Sequence, residues 1–181
     1  MLLATAAEAQ VRRWAPLAEK SEVGFAASFP LGNFNGTTRE VEGQLAADPA
    51  DLQAGVTGYV LVKAANLHTG SGGRDRDMQR ALSVDRFPDI RFTVQRVAAS
   101  FPSATDRADV LLTITGLMQI HGIERPVTFP ARLRLRDDKI WVRGEAELKM
   151  SDYGVKPPSH FLLSVKDRVV ASFDLLLGET Q

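Results

Sequence analysis

The sequence predicts an all-β fold, and three features carry that prediction. Apolar and polar residues alternate with a period of two along most of the chain, which is typical of strands with one buried face. Glycine, proline, asparagine and aspartate cluster between the alternating stretches, as they do in turns. Some gaps, such as Asp137-Asp138, are so short that they indicate antiparallel hairpins.

The alternation places about eight strands along the chain. Each strand has one apolar face and therefore needs a partner surface that removes this face from water. In chain order the stretches cover residues 23–29, 41–45, 56–62, 90–94, 110–114, 127–135, 140–150 and 169–177. No internal repeat is present and no linker divides the chain, so we expect a single domain.

Strands of this kind can close into a barrel, which leaves no exposed strand edge, or can form a two-sheet sandwich. The alternation is the same in both architectures. Several inward-facing positions carry small residues, which leave volume inside a barrel or mark the bends where strands curl. These residues are Ala27, Gly43, Gly58, Ala131, Gly144, Ala146 and Ala171.

One short helix interrupts the strands after a glycine-rich run at residues 70–73. Met78, Ala81 and Leu82 recur at intervals of three and four residues and form an apolar stripe. We expect the helix to end at Phe87-Pro88, because proline disfavours helical backbone in the residue before it. A helix between two barrel strands is expected to lie over the mouth of the barrel.

The composition excludes several classes of function. The chain has 181 residues, and 22 lysines and arginines balance 22 aspartates and glutamates. This neutrality argues against nucleic-acid binding, and no apolar run is long enough to span a membrane as a helix. Cysteine is absent, which excludes disulfides and thiolate metal sites. Phenylalanine supplies 9 of the aromatic residues against 2 tryptophans and 2 tyrosines, which suits a dry core or a dry pocket.

The N-terminal residues are assigned separately from the fold. Ala7-Glu8-Ala9 has the small–x–small form of a signal-peptidase site, although the stretch before it is short and carries no positive charge. We expect residues 1–13 to be an N-terminal tail, either a signal-peptide remnant or a plain alanine-rich extension. Residues 14–181 are expected to form the barrel domain.

Candidate catalytic and metal-binding residues are few. His68, His121 and His160 all fall in predicted loops, and none has the spacing of a local metal motif. The glycine-rich run matches neither phosphate-loop pattern, and no Gly-x-Ser-x-Gly elbow is present. We therefore predict no metal site and no catalytic set. Arg74 and Arg76 either lie in solvent or meet a ligand head group at the mouth of the barrel.

Several segments together resemble the YceI-like family of lipocalin-like polyisoprenoid-binding proteins. The resemblance extends from about Ser21 to Leu177. No segment is specific alone, but their order and spacing together are. The segments are SEVGF (21–25), GNFNG (32–36), LHTG (67–70), RD (74–75) with Met78, FPDIRF (87–92), TGLMQIHGIERPV (115–127), SDYGV (151–155) and VKD (165–167).

The resemblance implies an eight-stranded antiparallel, lipocalin-like barrel that is periplasmic or secreted. It also implies a homodimer and an apolar tunnel that holds a long-chain isoprenoid, a quinone-like molecule or a fatty amphiphile. The family has no established catalytic residues. Many members carry arginine two residues before the aspartate of the Asp-Tyr-Gly element, where this chain has Met150. A flexible apolar side chain thus replaces a charge that could anchor a polar head group.

We expect the ligand to contact apolar side chains inside the barrel, because each buried CH₂ contributes about 0.8 kcal/mol without requiring a charged partner. The alternative is that these side chains only fill the core. The residues assigned to ligand binding are Phe25, Phe29, Val60, Val62, Met78, Leu82, Phe92, Leu112, Ile114, Phe129, Ala131, Ala146, Met150 and Phe173.

The predicted function is a binding or carrier protein for a small hydrophobic ligand, with no other cofactor. Two alternatives remain open from the sequence. One is an enzyme that acts on such a lipid, with His68, Arg74 or His121 at the barrel mouth. The other is a stress-related structural barrel with a fully packed interior and no ligand.

Overall fold

The computed structural model describes residues 11–52, 55–101, 109–136, 138–160 and 163–180. The predicted signal-peptidase motif at residues 7–9 therefore lies outside the described residues. The strands are β1 (Arg12–Pro16), β2 (Glu22–Phe29), β3 (Gly32–Thr38), β4 (Val41–Ala47), β5 (Thr57–Lys63), β6 (Asp89–Ala99), β7 (Val110–Ile120), β8 (Ile123–Arg136), β9 (Lys139–Lys149), β10 (Ser159–His160), β11 (Leu163–Ser164) and β12 (Arg168–Thr180). The helices are α1 (Gly72–Leu82) and two short 3₁₀ helices, Ala64–Asn66 and Met150–Tyr153.

The long strands form a closed antiparallel barrel with eight positions around its axis. β12 closes it: one edge of β12 pairs with β9, and the other edge pairs first with β2 and then with β1. β1 and β2 therefore share one position in the barrel, and β3 and β4, which pair with them, share the next. The predicted eight-stranded barrel is confirmed, and the sandwich alternative is wrong.

The change of partner along β12 leaves backbone groups of Leu176 without a strand opposite them, and the connection between β1 and β2 satisfies these groups. Ser21 is 1% exposed, and its hydroxyl donates to the Leu176 carbonyl at 3.1 Å while accepting from the Leu176 N–H at 3.2 Å. The Leu17 N–H also donates to the Leu176 carbonyl, at 2.8 Å. Pairing along β12 is thus completed by a serine side chain at the one point where no strand can provide it.

The two ends of the barrel differ. The end at which β1 begins and β12 finishes, here called the floor, includes Arg12, Ala47 and Thr180. The opposite end, here called the helix end, carries α1, the β2–β3 turn and the β7–β8 turn. The β7–β8 turn is a two-residue hairpin loop in which His121 and Gly122 have positive φ values of 53° and 75°. This is the backbone of a type I′ turn, which matches the twist of the two strands it joins.

α1 lies at the helix end, as the sequence predicts. The Gln79 amide donates to the Ala65 carbonyl at 3.2 Å, and the Arg74 guanidinium lies 5.2 Å from the centroid of the Phe34 ring on β3. Leu82 packs against the hydrophobic core. None of the helices in the described ranges has both the length and the apolar character needed to cross a membrane.

α1 ends earlier than predicted. Its last residue is Leu82, and Ser83 follows in the left-handed conformation with φ 49°. The Ser83 N–H donates to carbonyl oxygens of the last helical turn, which satisfies groups that would otherwise be left open at a helix end. The prediction from Phe87-Pro88 was wrong because this cap stops the helix before the proline can act.

Two strands of the barrel, and the short pair β10 and β11 outside it, were missed by the sequence prediction. β1 begins at Arg12, within the stretch expected to be a tail, and is too short for its alternation to be recognised. β3 reads Gly-Asn-Phe-Asn-Gly-Thr-Thr, a composition that favours turns. Gly32-Asn33, a residue pair typical of turns, starts this strand, and the turn is Pro30-Leu31. Pairing with β2 along its length overrides the low strand propensity of β3.

The small inward residues have two structural roles. At Gly43 and Gly58 the backbone of the neighbouring strand approaches so closely that a Cβ atom would lie 2.5 Å and 2.0 Å from its nearest backbone oxygen. At Gly144 a Cβ atom would lie 2.8 Å from the ring of Phe173, so this glycine provides space for an aromatic side chain. The expectation that small residues simply leave empty volume is therefore incomplete, because these glycines allow close strand contact or accept a ring.

Gly58→Ala is expected to destabilise the barrel by about 2 kcal/mol or more, because Gly58 has φ 141° and its Cβ would meet the backbone of β4. Gly72→Ala is the matched control, since Gly72 is exposed at the start of α1 and a Cβ there has only a flexible arginine nearby. The control should be neutral or slightly stabilising. Urea unfolding of both variants checks the prediction, and equal effects would contradict it.

Candidate functional site

A cavity of about 150 Å³ lies inside the barrel, between the floor and the helix end. Its wall is almost entirely apolar and includes side chains from strands all around the axis. The sequence-predicted ligand residues that line it are Val60, Val62, Phe92, Leu112, Ile114, Phe129, Ala146 and Phe173. Because sheet pairing uses the backbone polar groups of the wall, the interior presents hydrocarbon to whatever enters it.

The other predicted ligand residues do not line this cavity. Ala131 is buried in the wall, close to Gly144, and the remaining ones belong to the helix end or to the strands that lead to it. Met150 begins a 3₁₀ helix and packs against the core from there. These residues are Phe25, Phe29, Met78, Leu82, Ala131 and Met150. Their contact with a ligand stays a prediction.

Some lining residues were not among the predicted set. Trp14, Leu52 and Leu177 form part of the cavity and are buried at the floor. Leu177 belongs to a strand whose alternation shows it facing inward, so the pattern contained that information. Trp14 lies on the short first strand and Leu52 lies in a loop, and neither position has a periodicity from which its orientation can be inferred.

Three phenylalanines meet in the middle of the barrel. The ring centroids of Phe92 and Phe129 are 5.2 Å apart, and those of Phe129 and Phe173 are 5.5 Å apart. The planes are tilted or edge-to-face, which are the favoured arrangements for aromatic pairs. A Cβ atom at Gly116 would lie 2.5 Å from the Phe92 ring, so glycine is needed there. The ring cluster occupies much of the space that a wider barrel interior would leave open.

The size of the cavity limits what it holds without rearrangement. A volume near 150 Å³ is about that of an engineered protein cavity that binds benzene. It therefore accommodates a ring or a short stretch of hydrocarbon, but not a complete long chain. A longer ligand requires the ring cluster to move or the helix end to open.

The floor is covered by charged groups that face solvent. The Arg12 guanidinium donates two hydrogen bonds to the Glu179 carboxylate and lies 5.5 Å from the centroid of the buried Trp14 ring. The hydrogen bonds from Arg12 hold the pKa of Glu179 below its ordinary value. Asp138 adds a third charge, 3.8 Å from Arg12. This cluster separates the tryptophan from water on the side away from the cavity.

A partly buried carboxylate stabilises the helix end. Asp75 of α1 is 16% exposed and accepts hydrogen bonds from the Thr69 N–H at 2.9 Å and the Thr69 hydroxyl at 2.6 Å. These bonds lower the pKa of Asp75, and His68 lies 3.5 Å away. The Arg74 guanidinium donates to the Thr69 carbonyl at 3.1 Å. His68 and Arg74 thus fix the loop that leads into α1.

His121 connects three parts of the helix end. Its Nδ1 lies 3.2 Å from the Tyr153 carbonyl, and its Nε2 lies 3.3 Å from the Ser83 hydroxyl. Because a carbonyl only accepts, Nδ1 carries a proton and donates it to the Tyr153 carbonyl. The ring also contacts Phe87 edge-on, with centroids 4.7 Å apart. These contacts account for the position of His121 without a catalytic role.

A second carboxylate anchors the Ser-Asp-Tyr-Gly segment. Asp167 accepts from the Ser151 N–H at 2.8 Å and from its hydroxyl at 2.6 Å, and these bonds lower the pKa of Asp167. Tyr153 is 2% exposed, and burial raises the pKa of its phenol. Gly154 has φ 66°, which favours glycine after the 3₁₀ helix. The segment is therefore a structural element of the helix end.

Metal binding has no support in the geometry. Over the described ranges, no group of three or more histidine, aspartate or glutamate side chains could hold a metal ion. His68 and His121 have the local partners given above. The side chain of His160 lies outside the described part of the chain.

The family model of the YceI-like domain matches residues 14–177. The chain belongs to the YceI-like domain family. A UPF0312 protein of Pseudomonas putida strain F1 is 30% identical over 133 residues, which cover 68% of this chain and 65% of the relative. A protein YceI of Salmonella arizonae is 26% identical over 128 residues, which cover 66% of this chain and 62% of that protein. The matches thus span less than two thirds of the length of these YceI-like relatives.

Solved structures show the same YceI-like barrel. BcnA from Burkholderia cenocepacia superposes with a TM-score of 0.75 at 18% identity, covering 89% of this chain and 98% of BcnA. A polyisoprenoid-binding domain from Saccharophagus degradans, implicated in plant cell wall breakdown, gives a TM-score of 0.71 at 14% identity and covers 92% and 98% of the two chains. At these identities the likeness establishes the fold alone.

Asp75→Asn is expected to lower the free energy of unfolding by about 1 kcal/mol at pH 7, because it removes the charge from the hydrogen bonds to Thr69. The pKa of Asp75 is lower in the folded protein than in the unfolded chain, so its contribution is complete above about pH 4 and is lost as the pH falls through the folded value. The variant should therefore lose less stability than the wild type on acidification.

Asp77→Asn on the same helix is the control. Asp77 is 57% exposed and, within the described part of the chain, pairs with Arg80 three residues on, so its replacement should cost less than about 0.5 kcal/mol. Thermal unfolding from pH 7 to pH 3 measures both variants. A difference between wild type and Asp75→Asn that does not shrink at low pH would count against the charge-based explanation.

Proposed function

We propose that the protein is an extracytoplasmic binding or carrier protein for a long-chain isoprenoid or a similar amphiphilic lipid. The observation that carries the proposal is the apolar cavity enclosed by the barrel wall, with the ring cluster of Phe92, Phe129 and Phe173 at its centre. A hydrocarbon chain gains free energy from such a wall in proportion to the area it buries. Membership of the YceI-like family supports the proposal, as does the neighbouring structure described as a polyisoprenoid-binding domain.

The cavity volume makes the proposal specific. The enclosed space holds about one small ring, so a long chain binds only if the interior widens. Phe92 and Phe173 are only partly buried, whereas Phe129 between them is 5% exposed. We expect these two outer rings, which already pack on Gly116 and Gly144, to shift along the wall when a long chain binds and so to lengthen the cavity toward the helix end.

A series of linear prenols with one to four isoprene units tests the proposal directly. The affinity should rise with each added unit, by up to about 0.8 kcal/mol for each further CH₂ that is buried. Native mass spectrometry and competition with a fluorescent fatty probe measure the affinities. If the affinity stops rising once the enclosed volume is full, the interior does not widen and the long-chain carrier function is wrong.

Ala171→Phe is expected to weaken binding of the three-unit prenol at least tenfold. Ala171 lines the cavity, so a ring at this position occupies the space that the ligand needs. Thr113→Phe is the matched control, because Thr113 is exposed on the outer face of β7. Circular dichroism confirms folding, and Ala171→Leu provides a smaller blocking group if the phenylalanine is not tolerated. Equal affinities in the Ala171 variants and the control would contradict an interior site.

The extracytoplasmic location and the homodimer belong to the same proposal. The small–x–small motif at residues 7–9 supports export, and the exposed Phe101 and Leu111 offer apolar surface for a second copy. Expression of the full chain in an export-competent bacterium should place it in the periplasm or medium, with a mature end after Ala9. Light scattering of that material should give twice the mass of the mature chain, which is the 19.8 kDa chain less its first nine residues. Retention in the cytoplasm with Met1 intact would contradict export.

A further inference from the structure

Trp14 has an unusual environment for a buried tryptophan. Its side chain is 0% exposed and forms part of the cavity wall at the floor. Its indole nitrogen is buried and has no hydrogen-bond partner among the described residues. Buried tryptophan N–H groups usually find an acceptor, so this one calls for an explanation.

The neighbours of Trp14 do not provide an acceptor. On β4 it lies opposite Leu45, a cavity-lining residue, and on β12 opposite Glu179. The Glu179 carboxylate accepts two hydrogen bonds from Arg12 and none from Trp14, and the Arg12 guanidinium has only donors. A water molecule beside the indole nitrogen would find little else to bind, because the rest of the cavity wall is apolar.

The second tryptophan, Trp141, differs from Trp14 in having a hydrogen-bond partner for its indole N–H. Trp141 lies on the outer face of β9, and its indole N–H donates to the carboxylate of Asp174 on β12. Arg134 and Arg143 flank its ring. Trp141, outside the barrel, thus has a hydrogen-bond acceptor for its indole N–H. Trp14, which lines the apolar cavity, has none among the described residues.

We propose that the Trp14 N–H is the hydrogen-bond donor for a neutral acceptor oxygen on the bound molecule. This inference rests on the proposed binding function and adds a chemical class to it. Trp14 gives this end of the cavity wall one unpaired donor, and the lining residues carry no charge, so a carbonyl or ether oxygen suits the site once it displaces the atoms that cover the indole nitrogen. A phosphate or carboxylate is disfavoured, because it would be buried as an uncompensated charge.

The inference also sets an orientation. Trp14 belongs to the floor, while α1 lies at the helix end. The oxygen-bearing end of the ligand therefore lies deepest, and any remaining hydrocarbon extends past the ring cluster toward the helix end. A molecule whose only polar group is charged has to leave that group at the helix end and gains nothing from Trp14.

Acetophenone and ethylbenzene test the inference, because they have nearly the same shape and differ by a carbonyl in place of a CH₂. Both are small enough for the cavity in its present form. The ratio of the ethylbenzene to the acetophenone dissociation constant is measured in the wild type, in Trp14→Phe and in Trp141→Phe. We expect the ratio to fall about five- to tenfold in Trp14→Phe and to stay unchanged in Trp141→Phe. Phenylalanine is smaller than tryptophan and leaves extra space in the cavity. Because this space affects both ligands alike, it cancels in the ratio of their dissociation constants.

The Trp141→Phe variant provides a second measurement that leaves Trp14 in place. Its proton NMR spectrum contains one indole N–H resonance, that of Trp14. This resonance should move downfield when acetophenone binds and much less when ethylbenzene binds. If both molecules bind but neither the ratio nor the resonance distinguishes them, the role of Trp14 is wrong and the apolar cavity stands. If neither molecule binds to the wild type, the proposed binding function itself fails.

Discussion

The pairing of β12 with strands on both of its edges is the constraint on which the rest of the molecule depends. By pairing with β9 on one side and with β2 and β1 on the other, β12 turns an open sheet into a closed one. Closure satisfies the backbone of the wall within the wall itself, and it leaves the inward side chains no alternative to facing one another. Ser21 completes the pattern at the change of partner. The apolar interior is a direct result.

Most polar motif residues of the segments that resemble the YceI-like family lie at one end of this closed wall. Thr69 and Asp75, the His121-Gly122 turn, and Ser151 with Asp167 all belong to the helix end. Their polar groups bond to one another and to nearby backbone, and they are not among the residues that line the cavity. These motif residues therefore stabilise the helix end. The side chains that line the cavity are almost entirely hydrocarbon, and many different apolar residues can provide such a surface.

The fold was predictable because a strand with one buried face has a period of two. The strands that contain Leu133 and Val142 show this period clearly. The residues that line the cavity were predictable in part, since inward orientation does not separate packed wall from open space. Whether Phe92 meets Gly116, or Phe173 meets Gly144, depends on strands that are distant in the sequence and adjacent only in the barrel. The inward orientation of Trp14 could not be predicted either, because the five residues of β1 are too few for a period to be visible.

The small volume of the cavity has a consequence for how fast a bound molecule exchanges. In a wide, preformed cavity, a hydrocarbon chain enters and leaves at a rate set by its own solubility. Under the proposed function, the rings of Phe92 and Phe173 have to move before a long chain enters this barrel, so the lifetime of the complex would be governed by how often the protein opens. Such a carrier would retain its ligand in water and release it only when the helix end opens.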